Sequence, residues 1–461
     1  MQKAIEIAGQ NERRAVEDLS ALVRMPSVSF PGFPAKPLDD SAAAVAALLK
    51  SRGLENVEIF RLDGAFPYVY GDWLHQPGLP TLLLYAHHDV QPPGREPLWK
   101  SAPFEPQERE GRLYGRGSAD DKGGVVIHAS AIAACLEAQG ELPLNVKVLI
   151  EGEEEIGSPH LEAFLKSQAS RLAADAMVLA DTSNFDTGVP SITTALRGLV
   201  SFDVTVRSLA ASIHSGMWGG PAPDPVQALS RMIASVCDKD GDVAVPGLPR
   251  GRRLSAAEEK GLRALKYGKA ELRRQSGFLP KTRVLAKDGA ILKKLWHEPA
   301  FSVNAFEASS RKNCANIVND QAWCHMGVRT VDGMDPRRTL KAMQDHLKRQ
   351  APWGVEVEFS NVTASPAWKA PSSPVVEAAA RAFSRGYGRP AAFIGCGGSI
   401  PFAGPFSKVL GAPVVLEGVG DPYARIHSEN ENMHLGDLQK AIRGEIYLFD
   451  ELARLGRWPK L

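Results

Sequence analysis

The sequence predicts an α/β fold, an open sheet covered by helices on both faces, with a smaller α+β domain set into it. Three observations lead there. Short runs rich in Val, Ile and Leu at 81–85 (TLLLY), 145–150 (NVKVLI), 176–180 (AMVLA) and 413–416 (PVVL) read as buried strands. Helical patterns at 41–52, 123–138, 159–168 and 375–385 lie between them, and strands alternating with helices suit a sheet with both faces covered. The middle of the chain then changes character. A strand with period-two alternation begins near 197 (LVSFDVTVRS), followed by a Gly/Pro loop and a helix near 225–237. Strand-like runs near 314–330 and 355–362 flank a helix at 336–349, and the Pro-rich 364–372 reads as a return linker. The expected domains are therefore 1–196 with 363–461, and an insertion at 197–362.

Within this frame the N-terminal MQKAIEIAGQNERRAVEDL reads as one amphipathic helix without the basic-then-apolar order of a signal peptide, which makes cytoplasmic the expected location. The charged segment 250–275 reads as a solvated helix. The chain has 461 residues, and 54 Lys and Arg against 53 Asp and Glu leave a formal charge of +1. That balance provides no broad attraction to nucleic acid or anionic lipid. No apolar run approaches the roughly 20 residues that span a bilayer. Cys135, Cys237, Cys314, Cys324 and Cys396 are odd in number and form no CxxC, which argues against a disulfide framework or a zinc knuckle and fits a reducing compartment. Cys314 and Cys324 read as buried thiols.

The chemistry sits at the strand ends. TLLLY runs into Ala86-His87-His88-Asp89, NVKVLI into Glu151-Gly152-Glu153-Glu154-Glu155, and AMVLA into Asp181. Open α/β sheets bind ligands at the carboxyl ends of their strands, so His, Glu and Asp are delivered toward one rim. The loop Gly115 to Gly124, with Asp120 and Asp121, opens the helix at 123–138, and Arg425-Ile426-His427-Ser428-Glu429-Asn430 follows PVVL and a Gly-rich turn. Taken singly, Asp120 and Asp121 read as helix N-terminal acids and His87 as a loop histidine. Acids placed directly after an apolar strand need a partner, and a metal serves several at once. Imidazole and carboxylate without thiolate suit Zn²⁺, Mn²⁺, Co²⁺ or Fe²⁺. Asp120, Glu155 and Asp181 together would leave two divalent ions one positive charge for a hydroxide, as in a two-metal hydrolase.

In order, these pieces resemble the co-catalytic metallopeptidases, the family of carnosinase-type dipeptidases, glutamate carboxypeptidases, aminoacylase and related deacylases. The resemblance rests on His87-His88-Asp89, Gly115 to Gly123, Glu154-Glu155-Ile156-Gly157-Ser158, Asp181, His214-Ser215-Gly216 and His427. Tyr85 to Pro92 and Gly397 to Pro401 bring it nearest to the cytosolic dipeptidases. It implies a central mixed sheet of the di-zinc exopeptidase type with an inserted lid and dimerisation domain. It implies two divalent ions per subunit, zinc foremost, with manganese or cobalt compatible. His87 and Asp181 would bind one ion, Glu155 and His427 the other, and Asp120 both. Asp89 would hydrogen-bond to His87 from behind, and His88 would be a packed or exposed spacer. Glu154 would be the general base. His214 would reach the active site of the partner subunit in a homodimer and stabilise the oxyanion, assisted by Asn316. Arg329, Gly398 and Ser399 would bind the substrate's carboxylate. One departure stands out: related dipeptidases carry an acid where this chain has Cys396, a change that bears on substrate preference.

The resulting expectation is hydrolysis of the amide of a dipeptide or similar small substrate with a free C-terminal carboxylate. An N-acyl amino acid deacylase or a carboxypeptidase would share the chemistry. A non-catalytic scaffold would not need the complete ligand set.

Overall fold

The structure, a computed structural model, describes residues 1–398, 406, 409–456 and 458. The chain divides into two compact units, one formed by Met1–Thr194, Ala370–Ile394 and the C-terminal portion, the other by Ala195–Lys369 with a short return at Gly395. The sequence alone places the insertion at 197–362.

The first unit is built on a mixed sheet in the order Glu55–Phe60, Tyr68–Trp73, Asn145–Glu151, Thr81–His87, Ala176–Ser183, Val414–Gly420 and Ser191–Leu196. The middle pairings are parallel and the outer ones antiparallel. All four apolar runs are strands of this sheet. Their side chains are buried on both faces, as parallel strands under helices must be. The helix Lys122–Gln139 starts at Asp121, whose carboxylate accepts from Gly124 N, and stops at Gly140 with φ 76°. Pro374–Tyr387 starts at a Ser373 cap and ends at Gly388 with φ 68°.

In place of one N-terminal helix there are two, Gln2–Gln10 and Glu12–Val23. Asn11 sits between them at φ −96°, ψ 10°, outside helical geometry, so each helix can turn its own apolar face (Ala4, Ile7 and Ala8, then Ala15, Leu19 and Val23) to the core. No helix among the described residues is long and apolar enough to cross a membrane.

The second unit is an antiparallel sheet in the order Ala300–Glu307, Gln321–Thr330, Gly198–Arg207 and Glu356–Ser365. Alternate residues Val200, Phe202, Val204 and Val206 share a core with Leu229 and Met232 of the helix Pro225–Ala234 and Met343 and Leu347 of Pro336–Gln350. The expected solvated helix at 250–275 is two short ones, Ala256–Ala264, with a capping box from Ser255 and Glu258, and Lys269–Ser276. Lys266 at φ 49° ends the first. Cys324 is buried, but Cys314 is exposed, correcting the expectation of two buried thiols; Ala315 and Asn316, which lead from it into Ile317–Val318, are exposed as well.

The helices Pro374–Tyr387 and Leu435–Leu455 touch backbone to backbone. A Cβ on Gly386 would fall 2.3 Å from Gly444 N, and one on Gly444 would fall 2.4 Å from a ring carbon of Phe383. Gly386→Ala is expected to destabilise by roughly 1–3 kcal/mol through overpacking, read as a lowered melting temperature beside a Gly9→Ala control, where an added Cβ meets nothing within 4 Å.

Candidate metal centre

Thr81–His87 lies between Asn145–Glu151 and Ala176–Ser183 and is parallel to both, so all three end on the same rim. His87 closes the first strand, the Glu153–Glu154–Glu155 turn follows the second, and Asp181 lies near the end of the third. Two more segments close over this rim. One is the loop that carries Asp120 into the helix Lys122–Gln139. The other carries His427, itself at φ 62°, a left-handed conformation uncommon for a non-glycine residue and found where function demands it.

These five residues converge. His87, Asp120 and Asp181 bring ligand atoms within 4.8 Å of one another, and so do Asp120, Glu155 and His427. Asp120 belongs to both groups and divides its oxygens between them: Oδ1 is 3.1 Å from His87 Nε2 and Oδ2 is 3.0 Å from His427 Nε2. Glu155 Oε2 is 3.2 Å from His427 Nε2, and Asp181 Oδ1 is 3.9 Å from His87 Nε2. Glu154 stands beside them with Oε2 3.8 Å from His87 Nε2.

Charge is the dominant feature of the site. Burial first, and neighbouring carboxylates after it, push Glu154, Glu155 and Asp181 above the usual carboxylate range; Asp181 adds to the shift at Glu154, and Asp120 to those at Glu155 and Asp181. Burial would lower both histidines, yet hydrogen bonds to Asp120 and Asp89 hold His87 well above its ordinary value, and those to Asp120 and Glu155 hold His427 at about 11. Burial would raise Asp120, but His427 and His87 hold it low. Four carboxylates around two imidazoles are an excess of negative charge awaiting cations. The donors are carboxylate oxygen and imidazole nitrogen, the set that suits borderline divalent ions such as zinc or manganese. The residues present therefore fit the metal ions that the resemblance implies.

The surroundings fix each donor. Asp89 is fully buried; its carboxylate accepts from the amides of Glu154 at 3.1 Å and Glu155 at 3.0 Å and from Ser29 Oγ at 2.7 Å. His87 Nδ1 lies 3.1 Å from the Asp89 carbonyl oxygen and 3.4 Å from its Oδ1. The sequence motif anticipates the contact to His87 but not the hold on the glutamate turn. Glu431, which no motif marks, accepts from the amides of Ala119 and Asp120, both at 3.1 Å, and is paired with Arg116 at 2.5 Å. Gln91 holds Glu155 through its amide at 3.2 Å and its side chain at 2.8 Å. Lys122 Nζ donates to the carbonyls of Leu22 and Met25 at 2.9 and 2.7 Å, anchoring the Asp120 loop to the end of an N-terminal helix.

Other acids and histidines of the motifs are packing groups. His88 is buried with Nε2 donating to the Pro67 carbonyl at 3.0 Å, and burial pushes it down to about 4. Glu153 turns inward to Tyr68 and His160, and Glu151 to Tyr85. Asp121 caps its helix and accepts from His87 N at 3.3 Å.

Within the second unit, His214 and Asn316 are brought together. Ile213–His214 pairs with Ile317–Val318, and Asn316 O accepts from Ser215 N at 2.9 Å. His214 is exposed and its Nδ1 accepts from Gly216 N and Met217 N. Arg329, on Gln321–Thr330, is half-buried, and burial lowers its guanidinium below the ordinary value. Arg197, which the motifs do not single out, donates to Gly397 O at 3.0 Å; burial first, then the charge of Arg329, brings it down to about 10. Gly398 N donates to Cys396 Sγ at 3.3 Å. Ser399 lies outside the described residues.

The chain matches known proteins over most of its length. The profile described as Peptidase family M20/M25/M40 matches residues 83–448. A cysteinylglycine-S-conjugate dipeptidase of Corynebacterium striatum is 31% identical over 433 residues, covering 92% of this chain and 92% of that protein. A Cys-Gly metallodipeptidase of Schizosaccharomyces pombe is 27% identical, covering 96% of each. The crystal structure of human carnosine dipeptidase 1 superposes with a TM-score of 0.86 at 26% identity, covering 98% of each chain.

Replacing Arg116 by Met would strand Glu431 as a buried charge. The variant is expected to lose roughly 3–5 kcal/mol, measured as a reduced urea midpoint, and to bind metal more weakly because the Asp120 amide loses its anchor.

Proposed function

Because the chain belongs to peptidase family M20/M25/M40, we propose that this metallopeptidase hydrolyses the amide of dipeptides that carry a free C-terminal carboxylate, acting as a cytoplasmic homodimer with two divalent ions, zinc foremost, per subunit. The observation that carries the reading is Asp120, whose two oxygens face two different histidines. His87 and Asp181 would hold one ion, Glu155 and His427 the other, and Asp120 both. Bound there, the ions would supply Lewis acidity, lowering the pKa of a shared water and polarising the scissile carbonyl.

The chain's own groups do the rest. Glu154 stands within the cluster without being needed as a ligand. Its carboxylate takes the proton of the attacking water and returns it to the leaving amine nitrogen. Asp89 holds the amides of both glutamates, so Glu154 and Glu155 keep separate tasks although they are adjacent. His214 donates to the developing oxyanion in the site of the partner subunit, with Asn316 beside it. Arg329 pairs with the substrate carboxylate, with Gly398 and Ser399 completing that contact. Arg197 adds a second guanidinium to the same region of the second unit. The names of the relatives, dipeptidases for Cys-Gly and for β-Ala-His, support the substrate class. A carboxypeptidase reading has one observation in its favour: a metallo-carboxypeptidase from Sulfolobus solfataricus superposes at a TM-score of 0.83 and 27% identity.

Glu154→Gln is expected to lower kcat roughly 10²–10⁴-fold with metal content unchanged; a variant as active as wild type removes the base. In a panel of dipeptides, β-alanyl dipeptides, N-acyl amino acids and longer peptides, dipeptides should be cleaved with the highest kcat/KM. Preference for peptides of three or more residues would favour the carboxypeptidase. A variant made monomeric should retain its metal and lose most activity, and full activity in the monomer would discard the role of His214 across subunits.

A further inference from the structure

A second convergence of ligand groups lies in the core of the first unit, apart from the residues around Asp120. His128 on the helix Lys122–Gln139, Glu417 on the strand Val414–Gly420 and Glu445 on the helix Leu435–Leu455 bring ligand atoms within 4.8 Å of one another, and all three are buried. His128 Nε2 lies 3.1 Å from the Tyr85 carbonyl oxygen, and Nδ1 lies 2.9 and 3.0 Å from the two oxygens of Glu445. A carbonyl only accepts, so Nε2 carries the hydrogen, and in the neutral ring Nδ1 turns a lone pair toward the carboxylates. Metal-bound histidines are held in this way, one nitrogen donating to a backbone carbonyl while the other ligates.

Glu417 supplies the independent sign of a ligand. Both of its oxygens are sealed from solvent and neither has a hydrogen-bond partner. An imidazolium paired with Glu445 would leave Glu417 in that condition, a buried acid with no donor for its oxygens and no acceptor for its proton. A divalent cation resolves both problems, since two carboxylates match its charge and Glu417 gains its missing partner.

We propose that His128, Glu417 and Glu445 form a structural site for a divalent cation of the zinc or manganese class, sharing no ligand with the centre around Asp120. The ion would join two helices and a strand of the sheet from the inside.

Metal content decides it. Wild type and Glu417→Gln, expressed with zinc and desalted, are compared by plasma mass spectrometry, and the variant is expected to carry about one equivalent less per chain. Equal content in the two proteins overturns the proposal. Anomalous diffraction from wild-type crystals at the zinc edge gives a readout that does not depend on the variant folding. A peak between His128 Nδ1, Glu417 and Glu445 supports the site, and a position holding only water, or nothing, refutes it. Neither result depends on whether the centre around Asp120 hydrolyses dipeptides.

Discussion

Mutual repulsion among carboxylates governs this structure. Asp120, Glu154, Glu155 and Asp181 are packed into a space shared with two imidazoles, and each acid would lower its energy by moving away from the others. The fold prevents that with backbone amides and buried ion pairs. Asp89 grips the glutamate turn, Glu431 grips the Asp120 loop, and Arg116 neutralises Glu431. Cations are then attracted to a shape that already exists, which is the physical meaning of a preorganised centre. The same logic explains why His427 is tolerated in a left-handed conformation: its imidazole faces two carboxylates at once.

Much of this was legible in the sequence because strand and chemistry adjoin. An uninterrupted apolar run is a buried strand almost whatever surrounds it, and the polar residues after it are committed to the rim. His87, Glu155 and Asp181 could be found that way, and Asp120 and His427 through the resemblance. The antiparallel strand beginning near 197 announced itself by alternation for the same reason.

The remainder depended on partners distant in sequence. Glu431 carries no motif, and its role shows only once its amide partners, more than 300 positions earlier, are folded against it. Arg197 follows a strand with no motif to mark it. His128 lies mid-helix among apolar residues and is buried, but the carboxylates facing it come from positions 417 and 445. The break at Asn11 is a matter of which faces two short helices must bury, which amphipathic period alone does not reveal.

The grip of Glu431 on the Asp120 amide has a consequence for the order in which this protein becomes itself. His87, Asp120, Glu155 and Asp181 leave the ribosome early, while His427 and the carboxylate that steadies the Asp120 loop are made far later. A nascent polypeptide holding only the earlier residues lacks the His427 imidazole and the Glu431 carboxylate. On the proposed ligand set, the second ion's histidine would therefore be the last donor to be synthesised.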